Sequence, residues 1–172
     1  MKKSKSIYLC GFMGSGKSSA GKIAAEKIGT PFLDLDSYIV EKEKRTIPEI
    51  FAESGEGYFR ELEIAAISRM TDGYIIALGG GAMINRKNAA MINEYGVSVF
   101  IDAEFETCYG RIKNDPNRPL AFKSSKKTLE KLYADRKKSY VNNAVRTVNG
   151  NTDVVSLAER IIAIYREVNG AE

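Results

Sequence analysis

The sequence contains no histidine, only two cysteines and no long apolar run. Histidine is the usual side chain for proton exchange near neutral pH, so any proton transfer here falls to a carboxylate, to water or to a bound phosphate. Cys10 and Cys108 are far apart and form no C-x-x-C pair, which suggests neither a disulfide framework nor a zinc site. We expect both to be reduced core residues of a cytoplasmic protein. No apolar stretch approaches the roughly 20 residues that a membrane span requires, so we expect no membrane partner.

The length and composition favour one domain. With 172 residues, of which 44% are hydrophobic, the chain can build one well-buried core but is short for two. We therefore predict a single domain over residues 1–172. The basic start at Met1–Ile7 is similar to the first part of a signal peptide, but the apolar run that follows is too short, so we expect no cleaved leader.

The most informative motif is G-F-M-G-S-G-K-S at residues 11–18, directly after the apolar run Ile7–Cys10. It fits the pattern G-x-x-x-x-G-K-[ST], in which a glycine-rich backbone surrounds the phosphates of a nucleoside triphosphate. Lys17 supplies a positive charge for the outer phosphates and Ser18 a hydroxyl for Mg²⁺. A simple glycine-rich turn is the alternative, but every fixed position of the pattern is present. The predicted nucleotide-binding residues of this loop are Gly14, Ser15, Gly16, Lys17, Ser18 and Ser19.

Apolar runs alternate with segments of helical character along the chain. This alternation predicts an α/β fold with a parallel sheet. The predicted strands are 7–10, 31–35, 74–78, 97–101 and, more weakly, 145–148. The predicted helices include a pair over 37–70, interrupted near 55–57, and a closing helix over 154–168. Residues 114–125 show neither period and form a long loop, for which an active-site lid is the functional interpretation and a disordered surface loop the alternative.

The net charge of +4 is unevenly distributed. Residues 111–140, which we call the basic block, have a net charge of +7. A nucleic-acid surface would need interleaved aromatic residues and a recognition motif, but the block has few aromatic residues and no such motif. A solvated helical face is the usual explanation, but beside a phosphate loop the block fits best as local neutralisation of polyphosphate.

Asp34 and Asp36 follow the second predicted strand. We expect both carboxylates to lie on the same face at its carboxyl end, where ligands bind in open α/β sheets. One would hold Mg²⁺ and the other would orient or deprotonate an attacking hydroxyl. Asp36 could instead, or in addition, cap the helix that starts at Ser37.

Further candidates are a glycine triplet and three arginines. Gly79, Gly80 and Gly81 follow the third strand and indicate a close approach of the backbone to a ligand or to another segment. Arginine binds carboxylate or phosphate with two parallel hydrogen bonds, which lysine cannot do. Each arginine alone is more typical of the surface, and Arg60 could simply pair with Glu56 or Glu63. The candidate arginines are Arg60, Arg118 and Arg136.

Together these motifs resemble the shikimate kinase family over nearly the whole chain. The matching segments, in order, are G-F-M-G-S-G-K-S at 11–18, D-L-D at 34–36, F-R-E at 59–61, G-G-G-A at 79–82, R-P-L at 118–120 and R-x-x-x-Y at 136–140. The resemblance implies the P-loop fold of nucleoside monophosphate kinases, with five parallel strands in the order 2-3-1-4-5 and a lid at about 114–125. It also implies that ATP phosphorylates the 3-hydroxyl of shikimate, on the route to chorismate and the aromatic amino acids.

The resemblance also assigns roles to individual residues. Asp36 orients the shikimate hydroxyls and is the candidate base, while Asp34, behind it, lies near Mg²⁺. Lys17 and Arg118 stabilise the transferring phosphoryl group. The implied substrate-binding residues are Asp36, Arg60, Gly79, Gly80, Gly81 and Arg136. The implied shikimate-binding helices lie at about 36–62. The implied adenine-site residues are Arg111, which stacks on the base, and Asn151 in the opposite wall.

Other functions fit the sequence less well. A gluconate-type kinase shares the phosphate loop, but the lack of histidine and the segments F-R-E and G-G-G-A speak against it. A nucleoside monophosphate kinase would have a base-recognition segment and more lid arginines. A non-catalytic nucleotide-binding or nucleic-acid-binding module would have an impaired phosphate loop or lack acceptor residues. We expect an enzyme that uses ATP, shikimate and Mg²⁺, binds no nucleic acid and acts as a monomer.

Overall fold

A computed structural model describes residues 4–115 and 123–170 of the chain. Strands and helices alternate through these residues. The strands are β1 (Ser6–Cys10), β2 (Phe32–Asp34), β3 (Ile75–Ala77), β4 (Gly96–Asp102) and β5 (Arg146–Asn149). The helices are α1 (Lys17–Ile28), α2 (Leu35–Glu43), α3 (Ile47–Arg69), α4 (Arg86–Tyr95), α5 (Phe105–Ile112), α6 (Lys126–Asn143) and α7 (Val154–Asn169).

The five described strands form one parallel sheet in the order β2-β3-β1-β4-β5. The predicted fold class and strand order are therefore confirmed. β1 lies in the centre and all five of its residues are buried, because helices cover both faces of a parallel sheet. The loop that follows β1 consequently starts in the middle of the carboxyl edge of the sheet.

Two apolar layers enclose the sheet. On one face, α1 and α7 pack through residues such as Ala24 and Ile161, both fully buried. On the other face, α2, α3, α4 and α6 cover Tyr8 and Ile76. A glycine in the left-handed conformation flanks α1 at each end. Gly16 precedes the helix with φ 100°, and Gly29 ends it with φ 68°.

The junction of β2 and α2 differs from the sequence prediction. β2 ends at Asp34 and α2 begins at Leu35, so Asp34 and Asp36 do not share one face of a strand. Asp34 caps the helix, because its carboxylate accepts a hydrogen bond from the backbone N–H of Ser37. Asp36 lies in the first helical turn. The alternative role of Asp36 as the helix cap is therefore wrong, because the cap lies two residues earlier, at Asp34.

The helical segment after β2 also differs in where it breaks. The chain leaves the helix at Lys44, with φ 55°, and Thr46 starts α3 with a capping box formed with Glu49. The predicted interruption near 55–57 is a kink at Gly55, where φ is 82°. The closing helix α7 is confirmed, and Asp153 caps it.

Two further predictions concern the membrane and the lid. No helix among the described residues is long and apolar enough to cross a bilayer. Of the predicted lid at 114–125, residues 116–122 lie outside the described residues.

Candidate active site

The loop between β1 and α1 has the conformation that its glycines predict. Gly14 and Gly16 have φ values of 80° and 100°, which residues with a Cβ rarely adopt. A Cβ at Gly14 would also lie 2.7 Å from the carbonyl oxygen of Cys108 in α5. The loop is therefore held in its turn by backbone conformation and by close packing, and it leads directly into the N-terminus of α1, where Ser18 and Ser19 occupy the first turn.

Inside this loop, the lysine and the first serine are held by protein atoms. Lys17 Nζ donates to the carbonyl oxygens of Gly11 and Phe12 at 2.8 and 3.0 Å. The Ser15 side chain is fully buried, and its hydroxyl has no hydrogen-bond partner among the described residues. The Lys17 side chain therefore folds back onto the backbone of the phosphate loop.

The structure brings Ser18 and Asp34 together, although they are 16 residues apart. The Ser18 hydroxyl donates to Asp34 Oδ2 at 2.7 Å, while Asp34 Oδ1 accepts from Ser37 N at 3.1 Å. A hydroxyl and a carboxylate oxygen thus lie side by side at the N-terminus of α1. No cluster of three or more His, Cys, Asp or Glu side chains suited to a metal occurs among residues 4–115 and 123–170.

The glycine triplet after β3 lies against candidate acceptor residues. A Cβ added at Gly79 would be 2.5 Å from Asp36 Oδ1, and one added at Gly80 would be 2.6 Å from Arg136 Nη1. Tyr140, one helical turn beyond Arg136, donates its hydroxyl to the Gly80 carbonyl oxygen at 2.6 Å. The predicted close approach of this backbone is confirmed, and the segments that it approaches carry Asp36 and Arg136.

Arg60 completes this group and is held by two glutamates of its own helix. A Cβ at Gly81 would collide with Arg60 Nη2. Arg60 Nη1 lies 2.6 Å from Glu63 Oε2, and Nη2 lies 3.0 Å from Glu56 Oε1. Both pairings expected from helical spacing are present. However, the pair with Glu63 is not at the surface, because Glu63 is only 1% exposed.

Glu63 is an unusual residue of this site. Its Oε1 atom has no hydrogen-bond partner among the described residues. Burial raises the pKa of Glu63 to about 7, although Arg60 acts in the opposite direction, and the nearby charge of Asp36 raises the pKa further. The sequence showed only an i, i+3 pair, which looks the same whether it is buried or exposed. The apolar residues beside it in α3, Leu62 before it and the run Ile64–Ile67 after it, were the hint of burial in the sequence.

Arg111 and Asn151 lie on the other side of the phosphate loop. Arg111, in the last turn of α5, donates to the carbonyl oxygens of Gly14 at 2.9 Å and of Thr152 at 3.5 Å. Asn151 Oδ1 accepts from the backbone N–H of Glu104 at 2.8 Å. Arg111 is therefore placed between the phosphate loop and the segment that precedes α7. The Asn151 carbonyl group ties that segment to α5 rather than pointing freely toward a ligand.

The basic block is partly neutralised by acidic residues outside it. Lys126 pairs with Glu106 at 2.7 Å, and Lys137 pairs with Asp102 at 2.7 Å. Counting charges along the sequence did not identify either pair, because both acids lie before the block. Arg118, the remaining member of the predicted site, lies outside the described residues.

Comparisons with known proteins show shikimate kinases among the relatives of this chain. The family model for shikimate kinase matches residues 13–166. A shikimate kinase from Persephonella marina is 40% identical over 164 residues, which cover 94% of this chain and 99% of that protein. The structure of shikimate kinase from Acinetobacter baumannii in complex with shikimate aligns with a TM-score of 0.83 and 32% identity, over 95% of this chain and 94% of that one.

A gluconokinase from Sinorhizobium meliloti is a more distant structural neighbour. It aligns with a TM-score of 0.62 and 18% identity, over 99% of this chain and 96% of that one. At that identity the likeness concerns the fold alone. The family match over most of the chain, with a relative at 40% identity, decides the assignment. This chain belongs to the shikimate kinase family.

Proposed function

We propose that this protein transfers the γ-phosphoryl group of ATP to the 3-hydroxyl of shikimate, forming shikimate 3-phosphate and ADP. One observation supports this most directly: Asp36, Arg136 and Arg60 each lie against a successive glycine of the triplet 79–81. One carboxylate and two guanidinium groups are thus assembled beside the phosphate loop. They match an acceptor that has hydroxyl groups and one carboxylate.

The phosphate loop is the donor half of the proposed site. Its backbone N–H groups and the N-terminus of α1 bind the phosphates, and Lys17 exchanges its carbonyl partners for phosphate oxygens. In the proposed site Arg111 stacks on the adenine base and the segment around Asn151 forms the opposite wall; its contacts with Gly14 and Thr152, beside the phosphate loop, support this role. In the proposed mechanism Arg118 adds positive charge to the transferring group, a role in which an arginine is worth about 10³-fold or more in rate.

The acceptor half positions the attacking hydroxyl. Asp36 accepts a hydrogen bond from the 3-hydroxyl, orients its oxygen toward the γ-phosphorus and takes up the proton as the new P–O bond forms. Arg60 and Arg136 bind the carboxylate of shikimate with charge-assisted hydrogen bonds. Positioning and charge stabilisation carry most of the acceleration in phosphoryl transfer, so the lack of histidine is no obstacle.

Ser18 and Asp34 are the proposed Mg²⁺ residues. Their oxygen atoms lie 2.7 Å apart at the phosphate loop, and hard oxygen ligands are those that Mg²⁺ prefers. Kinases commonly bind Mg²⁺ through one or two protein oxygens together with phosphates and water, so the small number of protein ligands fits this ion. The bound ion would neutralise charge on the phosphates.

A coupled assay of ADP release tests the proposal. The purified protein is offered ATP and Mg²⁺ with shikimate, with gluconate or with a nucleoside monophosphate as acceptor. We expect turnover with shikimate as the acceptor and none with gluconate or a nucleoside monophosphate. Turnover with gluconate and none with shikimate would favour the alternative kinase, and turnover with none of the acceptors would contradict the proposal.

The protein is further proposed to act as a cytoplasmic monomer that binds no nucleic acid. The ion pairs of Lys126 and Lys137 support the last point, since they use cations that a nucleic-acid surface would need. Light scattering at several protein concentrations would test the monomer, and a dimer at micromolar concentration would contradict it.

A further inference from the structure

Helix α6 carries two residues of the acceptor half on one face. A Cβ at Gly80 would lie 2.6 Å from Arg136 Nη1, and the Tyr140 hydroxyl donates to the Gly80 carbonyl oxygen at 2.6 Å. Arg136 and Tyr140 are four residues apart, so they lie one above the other on the helix. Tyr140 is 1% exposed and fixes the C-terminal half of α6 to the glycine triplet.

The neighbouring face of α6 contacts a different part of the molecule. Lys137 Nζ lies 2.7 Å from Asp102 Oδ1 at the end of β4, and the Tyr133 hydroxyl donates to the Ala103 carbonyl oxygen at 2.9 Å. The Tyr133 ring meets the Phe12 ring of the phosphate loop edge to face, at 5.3 Å between centroids. This face therefore joins α6 to the end of β4 and to the donor loop.

We propose that Lys137 is a positioning residue for the acceptor: its ion pair with Asp102 fixes the rotation of α6 about its axis and thereby the place of the Arg136 guanidinium. The inference rests on the proposed function, because it assumes that Arg136 binds the acceptor carboxylate. Arg136 and Lys137 are consecutive and point about 100° apart around the helix. A rotation that separates Lys137 from Asp102 must move Arg136 as well.

A small rotation is enough to matter. With side chains about 5–6 Å from the helix axis, a turn of roughly 10° moves a guanidinium by about 1 Å. The two parallel hydrogen bonds between arginine and a carboxylate need both groups in one plane, so a shift of this size weakens them. Tyr133 and Tyr140 also hold α6, through hydrogen bonds to the carbonyl oxygens of Ala103 and Gly80, and the ion pair adds the restraint that lies directly beside Arg136 in the chain.

The ion pair is suited to positioning rather than to stabilising the fold. The Lys137 and Asp102 side chains are 37% and 35% exposed, and pairs of this kind add little to the free energy of unfolding. The hydrogen bond from Lys137 to Asp102 raises the pKa of the lysine, so Lys137 stays charged at neutral pH. Loss of the ion pair is therefore expected to change acceptor binding in a protein that still folds.

The experiment compares Lys137→Gln, Asp102→Asn and the double variant. Isothermal titration measures the Kd for shikimate and, separately, for Mg·ADP. We expect each single variant to raise the Kd for shikimate about threefold to tenfold and to leave the Kd for Mg·ADP within about twofold. The double variant should be no weaker than either single one, because the two substitutions break the same contact.

Two controls make the result specific. Lys138→Gln removes the adjacent exposed cation and should leave both Kd values unchanged, and Lys137→Arg should restore most of the shikimate affinity. An unchanged Kd for shikimate in Lys137→Gln, an equal loss for Mg·ADP, or additive losses in the double variant would overturn the inference. A wild-type protein that binds shikimate without phosphorylating it would contradict the proposed function instead, while the titrations would still decide the role of Lys137.

Discussion

Asp36 is packed against the backbone of Gly79, with its carboxylate where a side chain at residue 79 would otherwise be. We predict that Asp36→Asn lowers kcat for shikimate phosphorylation by about 10²-fold to 10⁴-fold, because an amide cannot take up the hydroxyl proton. The Kd for ATP should stay within about twofold, since the donor half is unchanged. Steady-state kinetics and titration with ATP measure the two quantities.

The matched control for Asp36 is Glu61→Gln, which neutralises an exposed carboxylate on α3. It should leave kcat unchanged. Near-normal turnover of Asp36→Asn, beside an equally active Glu61→Gln, would exclude Asp36 as the base.

Glu63 makes the stability of the protein depend on pH. Its pKa is about 7 in the folded protein against an ordinary value of 4.5, so the folded state keeps a proton that the unfolded chain has already lost. The stabilisation from this difference is complete below about pH 4.5 and is lost as the pH rises through about 7. Relative to Glu63→Gln, the free energy of unfolding of the wild type should therefore fall as the pH rises from about 4.5 to about 7. Above about pH 7 the difference between the two proteins should stay constant.

Urea unfolding between about pH 5 and pH 8 measures this difference. Glu61→Gln again serves as the control and should show no trend relative to the wild type. A constant difference between wild type and Glu63→Gln over the whole range would mean that Glu63 is ionised in the folded protein throughout.

At the residue scale, the sequence predicted chemical types better than environments. Helical spacing offered Glu56 or Glu63 as an alternative partner for Arg60, and the structure pairs it with both. That one of these glutamates is buried could not be predicted, because helical spacing fixes which side chains meet and not what covers them. The pair between Lys137 and Asp102 was missed for a related reason: it joins α6 to the end of β4, two elements whose contact depends on the whole fold.

Among the elements, the kinked helix α3 allows two glycines of different function to be compared. Gly55 has φ 82°, whereas Gly57 is exposed, has no atom within 4 Å of an added Cβ and lies within the helical part. We predict that Gly57→Ala raises the free energy of unfolding by about 0.5–1 kcal/mol, because alanine favours the helix. Gly55→Ala should lower it by about 1 kcal/mol or more, since alanine is strained at positive φ.

Urea unfolding of the two alanine variants measures these effects, and each serves as the control for the other. Equal effects of the same sign would mean that the kink at Gly55 is not maintained in solution.

The turn after β3 gives a prediction of a different kind. Neither Gly80 nor Gly81 has a positive φ, so the backbone there can accept alanine. An alanine methyl group would instead clash with the neighbouring guanidinium group. Gly80→Ala should therefore fold with near wild-type stability but displace Arg136 and raise the Kd for shikimate about tenfold or more. Titration with shikimate measures this, and an unchanged Kd would show that Arg136 does not contribute to binding.

The junction of β2 and α2 shows why element boundaries are hard to predict. The strand predicted over 31–35 is observed at Phe32–Asp34, and Leu35, predicted as its last residue, is the first residue of α2. Asp34 is both the last residue of the strand and the cap of the helix. The pattern of apolar residues therefore changes from strand to helix spacing with no glycine, proline or polar loop residues to mark the boundary. The expected common face of the two carboxylates was wrong, and their roles in the site stay predictions.

For the molecule as a whole, ligand binding should appear as thermal stabilisation. We predict that Mg·ADP at about 100 times its Kd stabilises the protein by about 2.7 kcal/mol. For a chain of this size, that corresponds to a rise in Tm of roughly 5–10 °C. If Ser18 and Asp34 help to hold Mg²⁺, chelation with EDTA should remove a large part of the shift. Calorimetry with ADP alone, with Mg·ADP and with EDTA measures it, and equal shifts in all three would contradict the proposed metal site.

At this scale the sequence was most informative. Strands β1, β3 and β4 were predicted within one or two residues, because buried parallel strands are nearly continuous apolar runs. The strand order came from the resemblance to a family and not from the runs themselves, since periodicity identifies elements but does not order them. β5 was the weakest prediction because it is an edge strand with mostly exposed residues, and its pairing with β4 defines it.

Arg60 has one permanent and one exchangeable partner. The Glu63 side chain is buried and cannot move away, whereas the Glu56 side chain is 71% exposed and can exchange Arg60 for water at little cost in free energy. In the proposed reaction the substrate carboxylate would replace Glu56 as the partner of Arg60. The free energy that it gains on binding is then the difference between the new ion pair and the one with Glu56. An uncharged analogue could not displace Glu56 from Arg60. Arg60 would therefore favour acidic substrates in two ways: it attracts their carboxylate, and its existing pair with Glu56 keeps uncharged molecules out.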